Sequence, residues 1–457
     1  MECLVWSKTE KLDTTDILYF FQEYLASREY KQLKMYDDYY DSDNTELLKK
    51  VADRKKRNKT PNNKVPSGYY GTLVDTMSGY MFQNVQYTTE TGQDESYVEQ
   101  LNEVLKDNKA DVKDMLSGIY ALIYNKAIEL VYTVGDGQNS AEVKYTTFDP
   151  KNWIILWTAD IEPEIYCAIR FYDSKMFNKD YDYYLDVIYA DEWQYYKMKD
   201  KKIELRETPR KLYFEECPVC CYRTKLVSIK SCFDKIIPYI DALDFILTGN
   251  SNEIDRLVDA LLVLGKVIKD EDLKHMEEWK VLQNMKTEDR AEYITKEMSP
   301  EFREYVSKLL INEIHKHSHV IDWYSPDVGL TGEVSAKALK TRLFDMDMFS
   351  QKIEKIYKES VYKRIRLINQ VLKIKGIKVG DEVKVIFNRT LPSDVEEKAA
   401  ALQNVTWISD QTKCELTGLD WETEKERKTE EAKLPYKQLN FGTNTENEET
   451  EEEDTEE

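Results

Sequence analysis

A chain of 457 residues is long enough to bury a sizeable core and to hold two or more structural units. Its formal net charge of −21 argues against a tight, non-specific grip on nucleic acid, and its 32 Tyr, 14 Phe and 8 Trp exclude overall disorder. No apolar run approaches the roughly 18 residues of a membrane span; Leu257–Ile268 comes nearest, and Asp259 and Lys266 interrupt it.

The first residues, MECLVWS, lack a basic start and an apolar stretch, so no signal peptide is expected and the seven cysteines read as reduced thiols in a cytosolic setting. Residues 13–34 read as one helix, capped by Thr14 or Thr15, with Ile17, Leu18, Phe20, Phe21, Tyr24 and Leu25 on an apolar face. A helical patch at Thr45–Asp53 runs into the basic stretch Arg54–Arg57, then Lys59 and Lys64. Without interleaved aromatics, that stretch reads as a solvated loop rather than a phosphate-binding patch. A turn-rich hinge at Val65–Gly71 precedes helical spacing over Leu73–Met81 and a short strand at Phe82–Tyr87. Two helices follow at 95–108 and 110–128. Short strand-like runs over 129–225 then mark an antiparallel β region, with Asp136-Gly137 as a hairpin turn.

Helical spacing returns at 229–256, where Pro238 kinks the helix or marks its start. Short strands are expected at Leu261–Lys269, Lys280–Gln283 and Ala291–Thr295. Ser299, Pro300 and Glu301 open another helix, with Phe302, Tyr305, Val306, Leu309, Leu310 and Ile314 as its buried stripe. Pro326, Gly329 and Gly332 then break the chain into a loop, and Ser335 stands where an N-cap belongs. The apolar spacing from Leu339 to Leu372 predicts a helix of roughly 55 Å, free of Pro and Gly. Beyond it come a strand at Asp381–Asn388, helices from Leu391 and from Ser409, and a charged helix over Trp421–Lys433. The last residues, Asn444–Glu457, are only Glu, Asp, Thr and Asn and have nothing to bury.

No assembled chemistry is visible. There is no P-loop, zincin, nucleophile-elbow or dinucleotide motif, so the chain does not read as an enzyme and no cofactor is implied. Cys217 and Cys220 form a Cys-x-x-Cys half-site, with Cys221 and Cys232 nearby but no second paired spacing. His315, His317 and His319 cluster at a helix end, with Asp322 following. Neither ligand set is complete, so no metal is expected.

The stretch Leu330–Leu339, LTGEVSAKAL, followed by Arg342 and Leu343, resembles the tunnel loop and following helix of the portal (head–tail connector) proteins of tailed phages, of the Gram-positive siphophage type. That family has Ser-Gly before its Ala-Leu, where this chain has Ser335-Ala336. Ala168-Ile-Arg-Phe-Tyr172 fits the family's β domain, and the order of elements from about residue 13 to 433 follows the same plan. The resemblance implies an α+β portal fold: mainly helical, with an antiparallel β region in the wing. Its parts would be a wing over 1–228, stem helices at 229–256 and 301–319, a small α/β clip at 257–300 and a tunnel loop at 320–334. A long helix and returning wing strand over 335–392, helical crown over 393–434 and acidic tail over 435–457 would complete it. It implies a ring of twelve subunits at one capsid vertex of the virion, assembled in the host cytoplasm, with double-stranded DNA passing through without sequence reading. The implied partners are the terminase large subunit, a head-completion or adaptor protein, and the major capsid and scaffolding proteins, with no membrane. Asp327, Val328, Gly329, Leu330, Thr331, Gly332 and Glu333 would line the channel, with Lys337 and Lys340 on its wall. The alternative is a cytosolic scaffold or adaptor acting through the tyrosine-rich β region and the acidic tail.

Overall fold

The computed structural model describes residues 4–7, 10–43, 63–88, 95–135, 142–173, 181–258, 262–264, 291–293, 300–325, 341–380, 383–389, 409–417 and 421–431. The expected basic run at 54–59, the Asp136-Gly137 turn, the strand at 280–283, the Ser299 and Ser335 caps, the helix from Leu391 and the acidic tail lie outside these residues. Contacts divide the chain into Met1–Leu391 and Pro392–Glu457.

In the first unit, a short strand β1 (Leu4–Trp6) leads to helices α1 (Thr14–Ala26) and α2 (Arg28–Tyr40). The single helix expected over 13–34 is therefore two. Ser27 explains the break: its hydroxyl donates to the Tyr24 carbonyl at 2.6 Å and accepts from the Tyr30 amide at 3.1 Å, ending one helix and capping the next. The cap of α1 is Asp13 rather than Thr14 or Thr15. Its carboxylate accepts from the Thr15 and Asp16 amides, both at 2.8 Å, and the Asp16 side chain accepts from the Asp13 amide in return.

Helix α3 (Tyr69–Phe82) runs into strand β2 (Asn84–Thr88), and α4 (Glu95–Asp107) and α5 (Ala110–Tyr124) follow. Gly118 of α5 lies under the Phe82 ring, with which a Cβ at that position would collide, so the two helices meet at glycine. Then come β3 (Ala127–Val134), β4 (Glu142–Phe148), β5 (Trp153–Thr158), β6 (Ile165–Asp173), β7 (Tyr183–Ile188), β8 (Glu192–Lys199), β9 (Lys202–Lys211) and β10 (Val219–Tyr222). They form two sheets. One has the order β1-β5-β6-β7-β8-β9, antiparallel except for the β1–β5 pair, and the other the order β10-β3-β4. Strands β3 and β4 pair antiparallel, with Val134 opposite Glu142.

A 3-10 turn at Asp234–Ile236 opens α6 (Ile237–Val258), so Pro238 marks the start of this helix rather than a kink. Strands β11 (Leu262–Leu264) and β12 (Ala291–Tyr293) pair antiparallel before α7 (Pro300–Ser318). The long helix α8 covers Phe344–Ile374, 31 residues or about 46 Å, and Leu343 is a turn that separates it from helical Thr341 and Arg342. Strand β13 (Lys384–Asn388) then pairs antiparallel with β2. In the second unit, α9 (Asp410–Thr417) starts at Ser409, whose hydroxyl accepts from the Thr412 amide at 3.3 Å, and α10 (Trp421–Glu431) follows.

The core of the first unit is stapled by α8. Its Tyr357 packs against Phe82, Tyr222 and Phe387 and shares a 2.6 Å hydrogen bond with Ser117. One helical turn pair further on, Arg364 is wholly buried. Its guanidinium reaches Asp114 of α5 at 2.6 Å and Glu129 of β3 at 3.2 Å, and also donates to the Tyr87 hydroxyl. Tyr222 and Tyr87 donate to Glu129 and Asp114 at 2.8 and 2.6 Å. Burial pushes the Glu129 carboxyl up, against the pull of Arg364. Burial opposes the charge on Arg364 too, but the surrounding acids outweigh it and its pKa stands well above the usual value. Replacing Arg364 with Met leaves Asp114 and Glu129 uncompensated. The expected cost is about 3–5 kcal/mol in guanidinium unfolding, whereas Arg366→Met, whose side chain is 60% exposed, stays within about 0.5 kcal/mol.

A second acid sits on the aromatic face of the large sheet. Asp186 is 3% exposed, lies 3.8 Å from Arg206 and 4.0 Å from Arg170, and its Oδ1 has no hydrogen-bond partner. Burial raises its pKa to about 6 despite both arginines. The folded state therefore binds the extra proton between about pH 4 and 6, and stability falls as pH rises through that window. Asp186→Asn is expected to raise the melting temperature at pH 7.5 and to converge with the parent near pH 4, as thermal melts across pH 4–8 will show.

Candidate functional site

Helices α6 and α7 form an antiparallel hairpin, pinned at both ends. Tyr239, early in α6, stacks on His317, late in α7, with ring centroids 5.3 Å apart. At the other end Arg303 donates to Asn250 at 2.9 Å and forms an ion pair with Glu253. The β11–β12 pair lies in the chain between the two helices. One side of α7 is buried through Ile314, with Val306 and Leu310 half-buried. The rest of the expected stripe is corrected: Phe302, Tyr305 and Leu309 are 60, 65 and 45% exposed. Helical spacing identified an apolar face without identifying what covers it.

The three histidines end α7 and do not converge on one point. His315 donates from Nδ1 to the Val320 carbonyl at 2.9 Å and turns Nε2 toward Asp322 at 3.9 Å. His317 lies 3.1 Å from Glu313. His319 adopts the left-handed conformation (φ 59°), turning the chain out of the helix, and its Nδ1 is 2.9 Å from Asp345 in the first turn of α8. Its ring stacks on Phe349 at 4.6 Å. His319 therefore ties the end of α7 to the start of α8 and closes the base of the segment between them. Asp322 holds the Tyr324 amide at 3.0 Å, shaping the turn that leads into that segment.

The channel residues expected by resemblance, Asp327 to Glu333 with Lys337 and Lys340, lie outside the described residues. The described flanks are Val320–Ser325 and Thr341 onward, and the His319–Asp345 contact was not foreseen. Spacing alone gave no sign of it, because it pairs residues on two separate helices.

The cysteines also stay apart as chemistry. Cys217, Cys220, Cys221 and Cys232 are all buried, with Cys217 donating to the Ile188 carbonyl at 3.5 Å and Cys232 to the Leu122 carbonyl at 3.6 Å. Burial pushes the Cys217 and Cys232 thiols up to about 11, which disfavours the thiolate a metal needs. Among the described residues no three His, Cys, Asp or Glu side chains are placed to hold a metal ion, and no helix is long and apolar enough to cross a membrane.

Residues 23–434 match the family described as phage portal protein, SPP1 Gp6-like. The chain belongs to this portal family. Its members are structural, non-enzymatic proteins, which gives this chain a portal or connector role at the vertex of a phage particle. Two solved structures are similar at 12% identity: the neck of an empty GTA particle computed with C6 symmetry and the neck of a native GTA particle computed with C12 symmetry. The first covers 78% of this chain and 90% of its own at a TM-score of 0.41, the second 77% and 89% at 0.40. No curated protein matches the chain.

The thiol environment is checked directly. In a thiol-reagent titration, Cys167, Cys217, Cys220, Cys221 and Cys232 are expected to remain unreacted in the native protein and to react fully in guanidinium.

Proposed function

We propose that this portal protein forms a ring, twelve subunits around, at one capsid vertex and serves as the channel through which double-stranded DNA is packaged and ejected. The observation supporting this most is the family match across residues 23–434, nearly the whole chain. The adaptor alternative rests only on the tyrosine-rich β region and the acidic tail. In this reading residues 1–228 are the wing, α6 and α7 the stem, 257–300 the clip, 320–334 the tunnel loop, 335–392 the long helix with its returning strand, and 393–434 the crown. The terminase large subunit docks at the clip during filling, and a head-completion protein replaces it there.

The charge supports passage over capture. Each phosphate neutralised by Lys or Arg releases counterions and adds affinity, so a basic channel would stall its cargo. A chain of net charge −21 disfavours sticking and leaves contact to short loops. Val328 to Gly332 touch the DNA backbone without reading bases, with Asp327 and Glu333 flanking them in the channel, and Lys337 and Lys340 adjust the charge of the wall.

Electron microscopy with mass measurement of the purified protein is expected to give rings with a central hole and a mass near twelve times 54.0 kDa. A monomer at every concentration and salt would count against the reading. Within rings, Thr331→Glu is expected to lower the yield of DNA-filled particles without altering ring mass; unchanged filling and ejection would remove the loop from the channel.

A further inference from the structure

The stem hairpin exposes two uncharged stripes in a chain that is 33% charged. On α7 they are the bulky Tyr305 and Leu309, preceded by Phe302 one turn earlier; all three are exposed and share one face by helical spacing. On α6 the outward line at the same spacing is Ala242, Phe245 and Gly249, in which Phe245 is 55% exposed between two small residues. The contacts that pin the hairpin also set Tyr305 level with Gly249 and Leu309 level with Phe245, to within about one turn of 5.4 Å. Among the described residues nothing lies within 4 Å of a Cβ built on Gly249, which leaves a hollow beside Phe245 there.

We propose that the Tyr305–Leu309 ridge of α7 seats in the hollow at Ala242, Phe245 and Gly249 of α6 in the next copy of this chain. The inference rests on the ring reading above and names the surfaces that close it. A ring needs a head-to-tail contact between two different patches, and a ridge and a hollow on different helices supply such a pair. Rotation about an axis running along the hairpin preserves height, so the residues that are level within one subunit meet across two. Depletion of charge along both lines matches the centre of a subunit interface rather than a solvated helix face. Removal of the exposed Tyr305 and Leu309 surfaces from water supplies the driving force.

The test uses the full chain. In a background with Cys3 and Cys414 replaced by Ser, a Phe245→Cys, Leu309→Cys double variant, oxidised and run without reductant, is expected to give a ladder of covalent oligomers ending at the ring size, while each single variant stops at dimers. Gly249→Leu fills the hollow with no described neighbour of its own chain within 4 Å and with a better helix former. It is expected to keep the melting temperature of the subunit and to lower the ring fraction at least tenfold. Rings of normal mass that give no ladder and tolerate Gly249→Leu would overturn the contact while leaving the ring reading intact. A parent protein that stays monomeric and gives no ladder in the double variant would overturn both.

Discussion

One buried cation holds the first unit together. Arg364 gathers Tyr87, Asp114 and Glu129, with Tyr222 fixing Glu129, so β2, α5, β3 and β10 are all referred to one point on α8. Two carboxylates beside one guanidinium leave the group short of positive charge, and burial answers by pushing Glu129 toward its neutral form. Such a cluster is not a large net source of stability, because desolvating three charged groups cancels much of their attraction. Its importance lies in the asymmetry. The whole set can be exchanged for apolar residues at little cost, but no single member can leave alone.

The α6–α7 hairpin is built on the opposite principle. It has its own two pins, Tyr239 on His317 and Arg303 on Asn250 and Glu253, but it leaves Phe245, Tyr305 and Leu309 in contact with solvent. A body closed around buried charge and an arm with open apolar faces divide the work of a portal subunit. The body fixes the shape of one copy, and the arm is the part that the proposed contact with the next copy would complete.

Much of this was legible in the sequence where the pattern is long. The spacing of Ile240, Leu243 and Leu247, the proline at the first helical position, Pro300, and the stripe from Met346 to Leu372 each gave a helix that the structure contains. Short or competing signals misled. Strand β1 is three residues, too few to show a period, and it joins the sheet by pairing with β5 from residue 156 onward in register. Ser27 sits inside a continuous apolar pattern, so only its hydroxyl geometry reveals the break. Phe302, Tyr305 and Leu309 read as core because periodicity reports an apolar face, and a subunit interface has the same pattern as a core. The loop at Asp327 to Glu333 came from resemblance rather than from chemistry, since glycines and a threonine announce a turn but not what passes it.

The pairing of β2 with β13 has a consequence in time. Asn84 meets Asn388 and Thr88 meets Lys384, so the strand made early in synthesis waits for one made about 300 residues later. At roughly 5–20 residues per second, the ribosome leaves β2 without its partner for about 15–60 s. During that interval Val85 and Tyr87 have no strand to lie against, and Arg364, which Tyr87 receives, has not yet been translated. This subunit therefore finishes folding only after nearly the whole chain has emerged, which places its completion ahead of any assembly on the nascent chain.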